Sequence, residues 1–394
     1  MPRPSSPRTR RGWKALALLQ VCALALLGSA PANALVVKAG PTPQDDLQRE
    51  ARAHQAGTGL TFMVGVFIAL EGTGTVSGNG ASGVYLGASP DKATGYVLTS
   101  AHSFVNRQDA TKTLPMKGVY LAFGPTMSKD AATAIVRASR VLVHPDFGQK
   151  SVSVLGGTRT IFAHDVAIVE FAGADAIKRI EALGRTGATF YEGKGYLSKP
   201  DLEAMIAGYG VFGTQASPTL ANPLNRVYAG HTRVTHTTFN GHTGFFHFGL
   251  HADKPLPPGD DVNWTMFKTL ETASIYQNPH ELSDVSVSTH TRQTMFANGD
   301  SGGPLLFQTK HGLAVAGLIA GTSNGFLLNK ATGEREHAIV QRFEPIMDKL
   351  TWIRNVLLGI PGTERILVPG GDPSGATGRP TGELKEEYKG KPTA

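Results

Sequence analysis

The stretch Asn298-Gly299-Asp300-Ser301-Gly302-Gly303-Pro304-Leu305 places a serine among glycines, directly ahead of an apolar run. Glycine has no Cβ, so the residues at 299, 302 and 303 allow a tight turn in backbone conformations that other residues disfavour. Such a turn projects the Ser301 hydroxyl outward and directs the N–H groups of Gly299 and Ser301 into one small space. A nucleophile and an oxyanion hole for acyl transfer can be built from these residues. The alternative is an ordinary glycine-rich hairpin turn, so the interpretation depends on what lies upstream.

Two upstream segments supply the base and the orienting acid that a serine nucleophile needs. An apolar run that begins at Tyr96 ends in small residues and His102, and Asp165 precedes the β-branched run 166–169. Such a run is typical of a buried strand. We expect His102 to accept the Ser301 proton and later to protonate the leaving amine, while Asp165 holds the imidazole in one tautomer.

Two neighbouring residues compete for the role of the acid or the base. Asp146 is an alternative acid, but it follows His144 by two residues within an earlier turn, which argues against it. His164 stands beside Asp165, and we expect its side chain to point away because adjacent residues of a strand alternate faces.

Three motifs in this order resemble those of the trypsin/chymotrypsin-like serine proteases. Thr99-Ser100-Ala101-His102 resembles the family's histidine motif, His164-Asp165-Val166-Ala167 its aspartate motif, and Gly299 to Pro304 its serine motif. Ala207–Gly210 is similar to the Gly-Trp-Gly segment of the second barrel, and Trp352-Ile353 to the closing helix. The resemblance implies an all-β fold of two six-stranded antiparallel β-barrels with a C-terminal α-helix. It also implies a serine endopeptidase that forms an acyl-enzyme and acts on polypeptides without a cofactor.

The same resemblance assigns a substrate pocket. The floor of the primary pocket falls at Met295, six residues before the nucleophile, with Phe296 beside it. The family's Ser-Trp-Gly strand corresponds to Ala320-Gly321-Thr322, which is a departure from the pattern. Neither Met295 nor Phe296 carries a charge, so we expect an apolar or small residue at the cleavage position.

The hydrophobic pattern divides the chain into two β-rich halves. Short apolar runs separated by turn signals indicate an all-β barrel or sandwich. We assign residues 59–190 to the first barrel and 191–358 to the second, with helical periodicity at Gln341–Leu358. The six runs expected in the first half are 62–70, 83–86, 96–98, 119–123, 135–143 and 166–171. We expect the polar residues 35–58 to be a lead-in or pro-segment, and residues 359–394 to be a mostly disordered tail.

Residues 1–34 have the pattern of a signal peptide. Five cations and no anion precede an apolar run from Ala15 to Leu27. Ala32-Asn33-Ala34 fits a cleavage site. Its removal would lower the formal net charge from +7 to +2 and take away Cys22, the single cysteine. We therefore expect a secreted or periplasmic monomer without disulfides, with no nucleic-acid partner and no stable membrane insertion.

Three further hypotheses concern function. Gly299–Gly303 also satisfies the nucleophile elbow of α/β-hydrolases, but that fold needs a helix after the serine and the order Ser, acid, His. A non-enzymatic binding module on a protease fold is the second alternative. The third is a metal site among the histidines of residues 231–251, but no acid or cysteine stands near them at ligand spacing, so we expect no metal. The long polar stretch 249–293 could border a substrate cleft or be a solvated insertion.

Overall fold

The computed structural model describes residues 35–37, 60–71, 78–106, 109–127, 131–154, 157–192, 202–210, 212–214, 227–234, 236–240, 243–251, 294–296, 299–328, 335–360, 362 and 364–369. These residues form 21 β-strands, two α-helices and two 3-10 helices, so the described part of the chain is mostly β. The first eleven strands are β1 (Leu35–Val37), β2 (Met63–Leu70), β3 (Gly78–Ala88), β4 (Thr94–Thr99), β5 (Met116–Phe123), β6 (Ala134–Arg137), β7 (Arg140–Val143), β8 (Gly148–Val154), β9 (Gly157–Ala163), β10 (Ala167–Ala172) and β11 (Thr189–Phe190). The other ten are β12 (Leu202–Gly208), β13 (Phe212–Thr214), β14 (Tyr228–Val234), β15 (His236–Asn240), β16 (Thr243–His251), β17 (Thr294–Met295), β18 (Pro304–Thr309), β19 (Gly312–Leu328), β20 (Arg335–Pro345) and β21 (Arg365–Leu367). The α-helices are α1 (Ala174–Ala182) and α2 (Leu350–Leu357), and the 3-10 helices span Ala101–Phe104 and Met347–Lys349.

The first sheet is antiparallel and has the strand order β21-β7-β10-β4-β3-β2-β5-β6. It curls because β6 and β7 are the two halves of one bent segment, of which β6 pairs with β5 and β7 pairs with β10. At the bend, the N–H of Ala138 donates to the Val119 carbonyl and the N–H of Ser139 to the Glu170 carbonyl, both at 2.8 Å. The main chain therefore stays hydrogen-bonded while it changes partners.

The pairing does not give the expected six strands in the first half. The sheet has eight strands, because the run expected as one strand at 135–143 is split by its bend and because β21 joins at the edge of β7. β21 lies in the segment 359–394 that was expected to be mostly disordered. Its Ile366 and Leu367 are 5% and 7% exposed, so this apolar pair packs into the core in addition to the pairing of β21 with β7. Residues 370–394 lie outside the described residues.

The second sheet has the order β14-β12-β18-β19-β20-β16-β15, with β11 paired to β19. The expected helix at Gln341–Leu358 is wrong in its first part, since β20 continues to Pro345 and α2 begins only at Leu350. Phe343 fits a helical and a strand period equally well, and its pairing with Ile319 of β19 decides for the strand. Helix α1, which buries Ile177 and Ile180, was not predicted.

A third, small sheet includes the start of the segment expected to be a polar lead-in. β1 pairs in parallel with β13 and antiparallel with β17. The remainder of that segment and the proposed signal peptide lie outside the described residues.

The two large sheets meet along a hydrogen-bonded seam. The Tyr209 hydroxyl is buried there and donates to the Gly124 carbonyl at 2.6 Å, and the N–H of Val227 donates to the Pro125 carbonyl at 3.0 Å. Burial raises the pKa of Tyr209 well above its usual range, so the hydroxyl stays a donor. Among the described residues no helix is long and apolar enough to cross a membrane.

Candidate active site

His102 lies where β4 leaves the first sheet. The strand ends at Thr99, and the chain enters the 3-10 helix Ala101–Phe104, which Phe104 anchors in the core with no exposed surface. His102 itself is 7% exposed. One face of its ring stacks on Phe162 of β9, with ring centroids 5.6 Å apart and an interplanar angle of 14°. The imidazole is therefore held against protein on one side.

Asp165 is completely buried and faces His102. It follows a tight turn in which His164 has φ +51 and the N–H of Val166 donates to the His164 carbonyl at 2.7 Å. One carboxylate oxygen of Asp165 accepts the N–H of His102 at 2.8 Å, and the other lies 2.6 Å from the His102 Nδ1. Asp165 thus binds both the main chain and the ring of His102. With the proton on Nδ1 towards the carboxylate, Nε2 is the ring atom that can accept a proton.

Ser301 completes this chain of contacts, with its Oγ 3.0 Å from the His102 Nε2. Its turn depends on two glycines with positive φ, +93 at Gly299 and +78 at Gly302. A Cβ on Gly302 would lie 2.2 Å from the Thr99 Oγ1, and one on Gly299 would lie 2.8 Å from the Cα of Gly210. Both conformation and space therefore require glycine at these positions.

The N–H groups of Gly299 and Ser301 were expected to form an oxyanion hole. In the part of the chain that the structure describes, neither N–H donates a hydrogen bond to protein, whereas those of Gly302 and Gly303 bond to the carbonyls of Ile319 and Asp300. The first two donors are thus left for a ligand.

Asp300 directly precedes Ser301 in the turn. It is completely buried, and one of its carboxylate oxygens accepts the N–H of Gly210 at 2.9 Å. A Cβ on Gly208 would lie 2.0 Å from that oxygen. The backbone of the segment that follows β12 therefore receives Asp300, and glycine at 208 provides the room.

The expected pocket residues lie in β19 and at the end of β17. Ala320 is buried next to Ile319, whose N–H donates to the Gly303 carbonyl at 2.8 Å, so this part of β19 lies against the Ser301 turn. The pairing of β19 with β20 shifts register between Ile319 and Gly321, so Ala320 lies at a β-bulge and Gly321 pairs with Arg342. Phe296 is 5% exposed, and its ring meets that of Phe343 edge-on at 5.6 Å. For Met295 and Thr322 the structure describes the strand but not the side chains.

Neither competing residue joins the His102–Ser301 contact. Asp146 is exposed, and its N–H donates to His144 Nδ1 at 3.2 Å. The ring of His164 stacks on His144 at 5.2 Å, and His144 in turn meets Trp352 at 4.9 Å. The ring of His164 therefore lies on His144 and not on His102, and the turn conformation of His164, with φ +51, accounts for this where strand alternation was expected. Burial, with His164 and Lys349 nearby, lowers the pKa of His144 to about 4.

Sequence reasoning missed a buried ion pair close to Asp165. Lys349 Nζ lies 2.5 Å from Glu344 Oε1, and the two side chains are 1% and 0% exposed. Burial raises the pKa of Glu344 to about 7; Lys349 acts in the opposite direction, and the charge of Asp165 adds to the rise. No local pattern pointed to this pair, because an acid and a lysine five residues apart are typical of a solvated surface.

No group of three or more His, Cys, Asp or Glu side chains suited to a metal ion occurs within the described ranges. The structure does not describe the side chains of the five histidines at 231–251, so that hypothesis stays untested.

Comparison with known proteins gives likenesses in structure alone. No protein-family model and no curated protein sequence matches the chain. A thermostable serine protease, AL20, from an extremophilic microorganism aligns over 72% of this chain and 91% of its own, with 10% identity and a TM-score of 0.36. The secreted serine protease VesC from Vibrio cholerae aligns over 76% of this chain and 46% of its own, with 16% identity and a TM-score of 0.38. Both of these solved structures are named serine proteases, and their scores are too low to assign a shared family.

Proposed function

We propose that this protein is a serine endopeptidase that hydrolyses peptide bonds through an acyl-enzyme. The observation that carries the proposal is the unbroken series of contacts from the Ser301 Oγ to His102 Nε2 at 3.0 Å and from His102 Nδ1 to the Asp165 carboxylate at 2.6 Å. A nucleophile, a base and an orienting acid in hydrogen-bond reach are the geometric signature of nucleophilic catalysis. The three residues come from distant parts of the chain. Because His102 and Asp165 are buried, their contacts are not chance contacts between polar surface residues.

The proposed reaction has two halves. Ser301 Oγ attacks the carbonyl carbon of the substrate as its proton passes to His102 Nε2, and the negative oxygen that forms accepts the N–H groups of Gly299 and Ser301. His102 then donates the proton to the leaving amine, and the C–N bond breaks to leave an ester on Ser301. A water molecule attacks this ester as its proton passes to His102 Nε2. The C–O bond to Ser301 then breaks, the product acid leaves, and His102 returns the proton to Ser301 Oγ. Asp165 stabilises the imidazolium in both halves.

The proposed substrate is a polypeptide with an apolar or small residue at the cleavage position. The support is chemical, since Met295, Phe296 and the segment Ala320-Gly321-Thr322 include no charged side chain that could pair with lysine or arginine. A secreted or periplasmic monomer is part of the same proposal and depends on the signal-like residues 1–34. A peptide library in which cleavage requires arginine or lysine would contradict the apolar preference.

Labelling with a fluorophosphonate tests the nucleophile directly. Wild-type protein should be labelled and should cleave apolar peptides, whereas Ser301→Ala should lose the label and at least about 10³-fold in kcat. Ser139→Ala is the matched control, since its hydroxyl donates to the Glu170 carbonyl at 3.0 Å, away from Ser301. Peptidase activity that survives in Ser301→Ala would refute the mechanism. Wild-type protein that is neither labelled nor active would favour the alternative of a binding module.

A further inference from the structure

Ser82 connects the first sheet to the turn that carries Ser301. It lies within β3, opposite Gly65 of β2, and has no exposed surface. Its N–H donates to the Ser301 carbonyl at 2.8 Å, and its hydroxyl donates to the Gly299 carbonyl at 2.9 Å. One residue of the first sheet therefore holds two carbonyls of the turn.

The direction of the Ser82 hydroxyl is determined by its partners. The same oxygen accepts the N–H of Tyr209 at 2.9 Å, and the Ser82 carbonyl accepts the Thr99 Oγ1 at 2.7 Å. Because Tyr209 supplies the donor in one of these bonds, the single hydroxyl proton goes to the Gly299 carbonyl. Donors and acceptors are thus matched at this completely buried residue.

The two carbonyls that Ser82 holds belong to Gly299 and Ser301, whose N–H groups are expected to bind the oxyanion. A peptide unit is planar, so fixing the Gly299 carbonyl fixes the plane that follows Gly299. The N–H of Gly299 is then oriented through the dihedrals of one residue. The next plane is held by the bond from the N–H of Gly303 to the Asp300 carbonyl at 2.8 Å. The N–H of Ser301 belongs to that plane and points opposite to the Asp300 carbonyl, because the peptide bond is trans.

We propose that Ser82 is a positioning residue for the oxyanion hole: its hydroxyl holds the Gly299 carbonyl so that the N–H groups of Gly299 and Ser301 face one space. This inference rests on the proposed peptidase function. Alanine at position 82 keeps the N–H bond to Ser301 but removes the hydroxyl, which leaves the Gly299 carbonyl and the Tyr209 N–H without that partner. The turn can then rotate about Gly299, because glycine, here with a φ of +93, allows a wide range of backbone dihedrals.

Kinetics of Ser82→Ala test the proposal. Loss of a whole oxyanion donor lowers kcat by about 10²–10³-fold, so partial misalignment should lower kcat by about 10–100-fold and leave KM within about threefold. The affinity for a peptide aldehyde, whose adduct places an oxyanion in the hole, should fall by a similar factor. Thr133→Val is the matched control, since it also removes a buried hydroxyl that donates to a carbonyl, that of Thr126 at 3.3 Å. A loss of kcat no greater than that of the control, or an effect on KM alone, would overturn the proposal.

Amide hydrogen exchange separates this inference from the proposed function. If wild-type protein cleaves nothing and takes no fluorophosphonate, the peptidase proposal fails, and with it the oxyanion role of Ser82. The exchange rates still decide whether Ser82 holds the turn. We expect the amides of Gly302 and Gly303 to exchange at least about 10-fold faster in Ser82→Ala than in Thr133→Val, because local opening becomes easier. Equal rates in the two variants would show that the hydroxyl does not position the turn.

Discussion

Replacing Lys349 by methionine removes the cation from the buried pair with Glu344 and keeps a side chain of similar length. Lys349 Nζ lies 2.5 Å from the Glu344 carboxylate and 2.7 Å from that of Asp348, which is 43% exposed. Asp348 can turn to water after the substitution, whereas Glu344 has no exposed surface. The variant therefore leaves one carboxylate in the core without its cation.

The expected loss of stability depends on pH. Burial raises the pKa of Glu344 from 4.5 to about 7 even with Lys349 present, so the pKa should rise further without it. An acid whose pKa is higher in the folded state loses stability as pH rises through that range, and loses none below its unfolded pKa. Without its cation, the buried Glu344 takes up a proton instead of staying charged, so the extra loss of stability grows by at most about 1.4 kcal/mol for each pH unit above 7. Lys349→Met should therefore lower the free energy of unfolding by about 1–1.5 kcal/mol more near pH 8 than near pH 4.5.

Lys349→Met also affects His144, and this effect likewise makes the loss of stability smaller in acid than at high pH. Lys349 contributes to the lowered pKa of His144, so its removal makes protonation of that ring easier in acid. Among the side chains that the structure describes, the other charged groups that act on Glu344 are Asp165 and Asp348, and both raise its pKa. Neither of these two groups reverses the expected sign.

Urea unfolding at the two pH values measures the effect. Lys92→Met is the exposed control, because the pair Lys92–Glu181 is 56% and 43% exposed. It should change stability by less than about 1 kcal/mol at both pH values. The double variant Lys349→Met/Glu344→Gln should recover most of the loss near pH 8, since no unpaired carboxylate remains. An equal loss at both pH values, or a double variant as unstable as the single one, would refute the reasoning.

Three further substitutions test the site and the fold. Asp165→Asn should lower kcat by about 10⁴-fold in a peptide assay, because the amide no longer selects the His102 tautomer; a loss below tenfold would contradict the role of Asp165. Gly302→Ala should lower the free energy of unfolding by more than about 2 kcal/mol, because its Cβ would lie 2.2 Å from the Thr99 Oγ1 at a residue with positive φ. Unchanged urea unfolding would show that the turn adapts. Ile366→Ala should cost about 2–4 kcal/mol, since this β21 side chain is 5% exposed, and a thermal midpoint equal to that of wild type would mean that β21 contributes nothing.

The strands and the three motif segments could be predicted because each is a local pattern. Short apolar runs bounded by turn residues are visible within ten residues, and the structure has strands at all six runs expected in the first half. The same local patterns misled at Gln341–Leu358, where strand pairing with β19 overrides the helical period up to Pro345. The local patterns also did not predict strand β21, because its three residues are too few to show alternation between apolar and polar positions.

Ser82 shows why part of the candidate site was invisible in the sequence. Its hydroxyl bonds to a carbonyl 217 residues away, and nothing in Gly80-Ala81-Ser82-Gly83 distinguishes it from a solvated turn. The buried pair of Glu344 and Lys349 was hidden for a related reason, since burial is a property of the surrounding core and not of the two residues.

The sequence by itself determined the chemistry at each position: a serine in a glycine turn, a histidine at the end of an apolar strand, and a carboxylate ahead of a β-branched run. It also determined that the turn could adopt positive φ, because that freedom belongs to glycine itself. Only the tertiary structure decided that Ser301 Oγ lies 3.0 Å from the imidazole, and that the backbone of Gly210 receives Asp300. The physical reason is that hydrogen bonds act over about 3 Å, and residues separated by 90 positions or more reach that distance only after the chain has folded.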